Sequence, residues 1–118
     1  MRWTLIQLAG FKRLWESQRL DDEDLRALEM AIMRDPASAV VMRGTGGLRE
    51  IRFAPPSQGR DKSRSMRVAF AQFHEFARIY FVTSFLKEDA ENLSAADRQA
   101  TRKLLGDLTD ELRKGRNK

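Results

Sequence analysis

The chain of 118 residues is 42% hydrophobic and 33% charged, the make-up of a folded domain with one modest core and not of a disordered tract. It has no cysteine, which excludes disulfides, thiol chemistry and thiolate metal sites, and no apolar run nears the ~20 residues that span a bilayer. Its net charge of +5 sits almost wholly between residues 43 and 67, where seven basic residues stand against only Glu50 and Asp61.

Localised positive charge beside glycines suits a polyanion, nucleic acid foremost, because guanidinium can grip a phosphate through two parallel bonds. The plain alternative is a solvated surface that keeps the protein soluble. The apolar part of Met1–Gly10 is too short for a signal peptide, so a cytoplasmic protein of one domain over residues 1–118 is the expectation.

In chain order, Trp3 to Leu8 alternates weakly as an opening strand, and Gly10 breaks it. Phe11, Leu14 and Trp15 are spaced for one side of a short helix. Asp21-Asp22-Glu23-Asp24 opens a second helix, since carboxylates accept from the free N–H groups of the first turn and suit its positive dipole end. A cation site is the other reading of that acidic cluster, and capping is preferred. Leu25, Leu28 and Ile32 form the buried stripe, and Asp35-Pro36 stops the helix.

Val40 and Val41 lead into the turn Arg43-Gly44-Thr45-Gly46-Gly47, where the glycines leave no side chain to hinder a tight turn or the approach of another molecule. The strand Leu48–Ala54 follows. Alternation sends Ile51 and Phe53 to a core and leaves Glu50 and Arg52 on the other face. Pro55-Pro56 ends the pairing, and Ser57 to Ser65 is a polar, basic loop. In Met66–Ala71, Val68 and Phe70 share one parity, and Arg67 shares the other with the small Ala69 and Ala71. Two strands thus offer a basic sheet face. After a turn at His74-Glu75, Ile79–Phe85 is apolar on both parities, as a central strand should be.

Lys87 to Asn92 is a charged connection, and Ser94-Ala95-Ala96-Asp97 is a capping box opening the last helix. Its stripe is Ala96, Ala100, Leu104, Leu105, Leu108 and Leu112, with Arg98 and Arg102 outside it, and residues 114–118 are a frayed tail. The order is β-α-α-β-β-β-α, an α+β fold with an antiparallel meander, a C-terminal helix and the helices on one side of the sheet.

His74 is the only histidine, so a two-histidine nuclease site is excluded, and its place between Phe73 and Phe76 suits a structural role. No His, Asp and Glu have metal-ligand spacing, and no Gly-Lys-Ser or Gly-Lys-Thr follows the glycines, so neither a metal, a cofactor nor a nucleotide triphosphate is expected. Cation chemistry remains. Arginine and lysine can hold a phosphodiester and stabilise the charge that builds on it, and an RNA substrate brings its own 2′-hydroxyl nucleophile. The residues therefore point to an RNA binder, with metal-free RNA cleavage open to it.

Asp35-Pro36, Gly44-Thr45-Gly46-Gly47-Leu48-Arg49-Glu50-Ile51-Arg52-Phe53, Met66-Arg67-Val68, Tyr80–Lys87 and Asn92-Leu93-Ser94 occur in that order. This resembles the RelE/HigB-type toxins of bacterial type II toxin–antitoxin systems, from about Asp21 to Leu105. The resemblance implies a RelE-like fold and a ribosome-dependent endoribonuclease that cuts mRNA and inhibits translation. It also implies neutralisation by a cognate helix-turn-helix, HigA-like antitoxin.

By position in that family, Arg52 would clamp the scissile phosphate, Arg67 would stabilise the transition state and Lys87 would carry a proton. Glu50 stands where many relatives have lysine, and it either acts as a general base or pairs with Arg52 or Arg67. Phe85 stands where relatives often have tyrosine. Arg43, Arg49, Arg60, Lys62 and Arg64 would contact the RNA backbone. The alternatives are a non-catalytic RNA- or ribosome-binding protein, a decayed toxin marked by Glu50 and Phe85, or a basic protein that meets only an acidic antitoxin.

Overall fold

A computed structural model of the protein describes residues 2–36, 39–58, 66–86 and 93–116. Strands β1 (Thr4–Gln7), β2 (Val40–Val41), β3 (Arg49–Phe53), β4 (Met66–Phe73) and β5 (Arg78–Leu86) form one sheet in the order β1-β5-β4-β3-β2. β1 runs parallel to β5, and the remaining neighbours are antiparallel. Helices α1 (Ala9–Ser17) and α2 (Asp22–Arg34) fall between β1 and β2, and α3 (Ala95–Arg116) follows β5. The β-α-α-β-β-β-α order and its meander are those read from the sequence, with the two-residue β2 added at one edge. β5 lies inside the sheet, as its apolar run on both parities requires.

Alternation along the strands divides the side chains into two layers. Phe53, Val68, Phe70, Ile79 and Phe81 meet Phe11 and Trp15 of α1 and Leu28 and Ile32 of α2 in the main core. There Phe11 lies 5.3 Å from both Trp15 and Phe81, ring centre to ring centre, and Trp15 stacks on Phe53 at 6.2 Å. Each such side chain contributes about 1.5–3 kcal/mol by leaving water. On the opposite face Leu48, Ala69 and Ala71 receive Leu105 of α3, with Val82 and Leu108 beside them.

The helices therefore cover both faces of the sheet, not one. The reason lies in β4: Ala69 and Ala71 are too small to fill their layer, and the leucines of α3 complete it. Ala96 and Ala100, read as part of the buried stripe, are exposed. The helix also continues through Lys114, Gly115 and Arg116 where a frayed tail was expected, and its basic last turn suits the negative end of the helix dipole. Between β4 and β5 the pairing steps from Ala69 with Thr83 to Phe70 with Phe81. Val82 is thus an extra residue, a bulge that returns Ser84 to the core layer.

Both helix-start motifs form. Asp21 accepts from the Asp24 N–H at 2.8 Å while Asp24 accepts from the Asp21 N–H at 3.0 Å. Ser94 and Asp97 exchange the same pair of bonds at 3.0 and 3.3 Å.

Candidate nucleic-acid interface

The antiparallel register of β3 and β4 sets Arg52 directly across from Arg67 and Glu50 across from Ala69. Residues opposed in this way point to the same side of a sheet, here the side away from the aromatic core. Two like charges in directly opposed positions destabilise a sheet, so packing gives no reason for this pair. Arg52 is exposed, whereas the Arg67 and Glu50 side chains retain 23% and 14% of their accessible surface. Arg67 Nη1 donates to Glu50 Oε1, so the carboxylate pairs with Arg67. Ala69, across from Glu50, is fully buried with Leu105 of α3 packed on it, and Phe85 of β5 is in register with Arg67 on its other side.

At the opposite end of β3 the glycine turn has a specific geometry. Thr45 is fully buried: its hydroxyl donates to the Met42 carbonyl at 2.6 Å and accepts from the Leu48 N–H at 3.1 Å. The Met42 N–H donates to the Leu48 carbonyl at 2.7 Å and closes the loop. What approaches the glycines is α3. A Cβ on Gly46, at φ +77°, would lie 3.1 Å from Cγ of Arg102, and one on Gly44 would lie 3.4 Å from Cδ of Arg98. Arg98 donates to the carbonyls of Arg43 and Leu93. The two arginines read as solvent-facing thus lay their stems on the turn, as long basic side chains do.

Gly46→Ala is accordingly expected to destabilise the fold by about 1–2 kcal/mol, the cost of a left-handed Cβ. Urea denaturation measures it, and an unshifted midpoint would contradict the turn geometry.

The other residues with assigned roles scatter. Arg49 has the parity of Ile51, on the core side, and its Nη1 donates to the Ala39 carbonyl at 2.9 Å. Arg43 is exposed in the glycine turn, beyond the far end of β3 from Arg52. Arg60, Lys62, Arg64 and Lys87 lie outside the described residues. His74 is exposed in a 3-10 turn, His74–Phe76, with its ring edge-on to Trp3 at 5.6 Å. Among the described residues no group of three or more His, Cys, Asp or Glu could hold a metal ion, and no helix is long and apolar enough to cross a membrane.

Asp24 does more than cap. Fully buried, it also accepts from the Ser57 N–H at 3.0 Å and the Ser57 hydroxyl at 2.6 Å, tying α2 to the 3-10 turn Pro56–Gln58 just after β3. Burial pushes its carboxyl up, but the hydrogen bonds from Ser57 and Asp21 together outweigh this and hold it below its ordinary value. Only the acid itself, at the start of a helix, could have been singled out beforehand. Its partner is 33 positions away.

The fold is α+β, with a mixed five-stranded sheet and a C-terminal helix laid on the arginine-bearing face. It is RelE-like: the chain is similar to a free double arginine-to-alanine mutant of the Escherichia coli toxin RelE, at a TM-score of 0.54 and 16% identity over 77% of this chain and 90% of that one. No family model matches the sequence.

Proposed function

We propose that the protein is the toxin of a type II toxin–antitoxin pair, a ribosome-dependent, metal-independent endoribonuclease that cuts mRNA and inhibits translation in the cytoplasm. The observation that carries this reading is the cross-strand pair of Arg52 and Arg67 on one face, with Glu50 against Arg67, in a RelE-like fold. Residues 1–118 act as one RelE/HigB-like unit, and its partners are the ribosome, mRNA and a helix-turn-helix antitoxin.

In this mechanism Arg52 and Arg67 hold the scissile phosphate. The Arg67 guanidinium, staying protonated, donates one N–H to Glu50 and another to a phosphate oxygen, and the Glu50 carboxylate accepts the proton of the 2′-hydroxyl. The O2′–P bond forms, the P–O5′ bond breaks, and O5′ takes a proton from Lys87, the donor that the family resemblance implies. Products are a 2′,3′-cyclic phosphate and a 5′-hydroxyl. No cofactor enters the scheme.

Mapping of 5′ ends in cellular mRNA after brief induction tests the proposal. New cuts inside translated regions, absent with Arg67→Ala, are the expected result, and unchanged mRNA overturns it. The Glu50–Arg67 pair favours one other reading, a decayed toxin in which the carboxylate occupies the catalytic cation. That protein would bind ribosomes with steep salt dependence and leave mRNA intact.

A further inference from the structure

Gly106 is a glycine that neither the backbone nor the packing of this chain explains. It sits in the middle of α3 with helical backbone, and apart from its chain neighbours and the adjoining backbone of its own helix nothing lies within 4 Å of where its Cβ would be. Any other residue except proline would make a better helix there. Gly106 borders a cleft of about 360 Å³ between α3, the glycine turn and the end of β4.

The walls of that cleft are chemically mixed. Leu105 supplies apolar surface, and Phe73, held edge-on to Tyr80 at 5.6 Å, supplies an aromatic ring. Arg102, exposed and with its stem against Gly46, supplies a cation. Gly46 and Gly47 line it with backbone that carries no side chain of its own, and the Thr109 hydroxyl, which donates to the Leu105 carbonyl at 2.8 Å, keeps its lone pairs to accept. An aromatic ring, bare backbone polar groups and an arginine together match a flat heterocycle carrying a phosphate. We infer that this cleft binds one nucleotide, its base beside Phe73 and its phosphate at Arg102.

The site lies on the same sheet face as Arg52 and Arg67 but at the far end of β4. Ala71 and Phe73 lie four and six positions beyond Arg67 on β4, about 13–20 Å away at the rise of a strand, and Leu105 packs on Ala69 and Ala71 in between. The inference therefore stands whether or not the arginine end of that face cleaves RNA. The nucleotide has two sources, a free nucleoside monophosphate or one unit of a single strand.

Amide spectra of the full chain test it, with adenosine 5′-monophosphate, uridine 5′-monophosphate, adenosine, inorganic phosphate and a short oligoribonucleotide as separate probes. Saturable shifts at Gly46, Gly47, Phe73 and Gly106 are expected. Arg102→Gln should weaken them roughly tenfold, the loss of a charge-assisted bond, and Gly106→Leu should abolish them by filling the cleft. Arg67→Ala should leave the shifts that the monophosphates cause at these four residues unchanged. Saturation by a monophosphate assigns the site to free nucleotide, and saturation by the oligoribonucleotide alone assigns it to a strand. Absence of shifts with all five probes at roughly millimolar concentration, or shifts that survive Arg102→Gln at full affinity, would overturn the inference. Should Gly106→Leu fail to fold, the Arg102→Gln comparison decides.

Discussion

With Arg67 replaced by alanine, mRNA cleavage on translating ribosomes is expected to fall roughly thirtyfold to a thousandfold, on the order of 2–4 kcal/mol of transition-state stabilisation. The guanidinium is half-buried, fixed on an inner strand and held by Glu50, so it does not have to be ordered when charge builds on the phosphate. Arg67→Lys should recover little, because a lysine offers a point charge in place of the planar fork. Glu50→Gln separates the roles of the pair. In the proposed mechanism it lowers cleavage while RNA binding holds or tightens, since a competing carboxylate has gone. A rise in cleavage with Glu50→Gln would mean that the carboxylate only masks Arg67. Far-ultraviolet circular dichroism and thermal unfolding close to those of the parent chain are needed to read any of these rates as chemistry. Full-rate cleavage by Arg67→Ala would remove the basis for the assigned face.

Asp24→Ala is expected to cost about 2–4 kcal/mol of stability, because the Ser57 N–H and hydroxyl and the Asp21 N–H are left without their acceptor while the Asp21 cap itself remains. That is a large share of the 5–15 kcal/mol typical of a whole domain. The same carboxylate makes stability depend on pH. Its folded pKa lies below the ordinary value of 3.8, so the unfolded chain takes up the proton first as pH falls. The contribution is present above that ordinary value and is lost as pH drops through the lower folded one. Urea midpoints between neutral pH and pH ~2.5, for the parent chain and Asp24→Asn, should therefore converge at the acid end. A constant gap between the two, or an Asp24→Ala midpoint equal to the parent's, would show that Asp24 does not anchor this turn.

Much of the fold was legible because its signals are local. Strand parity placed Ile51 and Phe53 against Glu50 and Arg52, and Val68 and Phe70 against Arg67 and Ala69, with no knowledge of pairing. The Asp21–Asp24 and Ser94–Asp97 caps each close within one helical turn. The side of the sheet taken by α3 was not legible, because it depends on the space left above Ala69 and Ala71 once β3, β4 and β5 are aligned. The same limit hid the seating of Arg98 and Arg102. On a helical pattern they are polar residues off the apolar stripe, and only the approach of two glycines from a turn more than fifty positions away gives their stems a surface.

The sequence by itself thus determined the element order, the two faces of β3 and β4, the concentration of positive charge and the exclusion of cysteine chemistry. All of these follow from residue type and from periods of two or 3.6 along the chain. The tertiary structure alone decided that Arg52 and Arg67 stand opposite one another, that Glu50 pairs with Arg67, that Arg49 reaches the Ala39 carbonyl and that Asp24 reaches Ser57. Each of these is a register or a contact between distant segments. Such contacts are set by the common packing of both layers of the sheet, which no local run of residues contains.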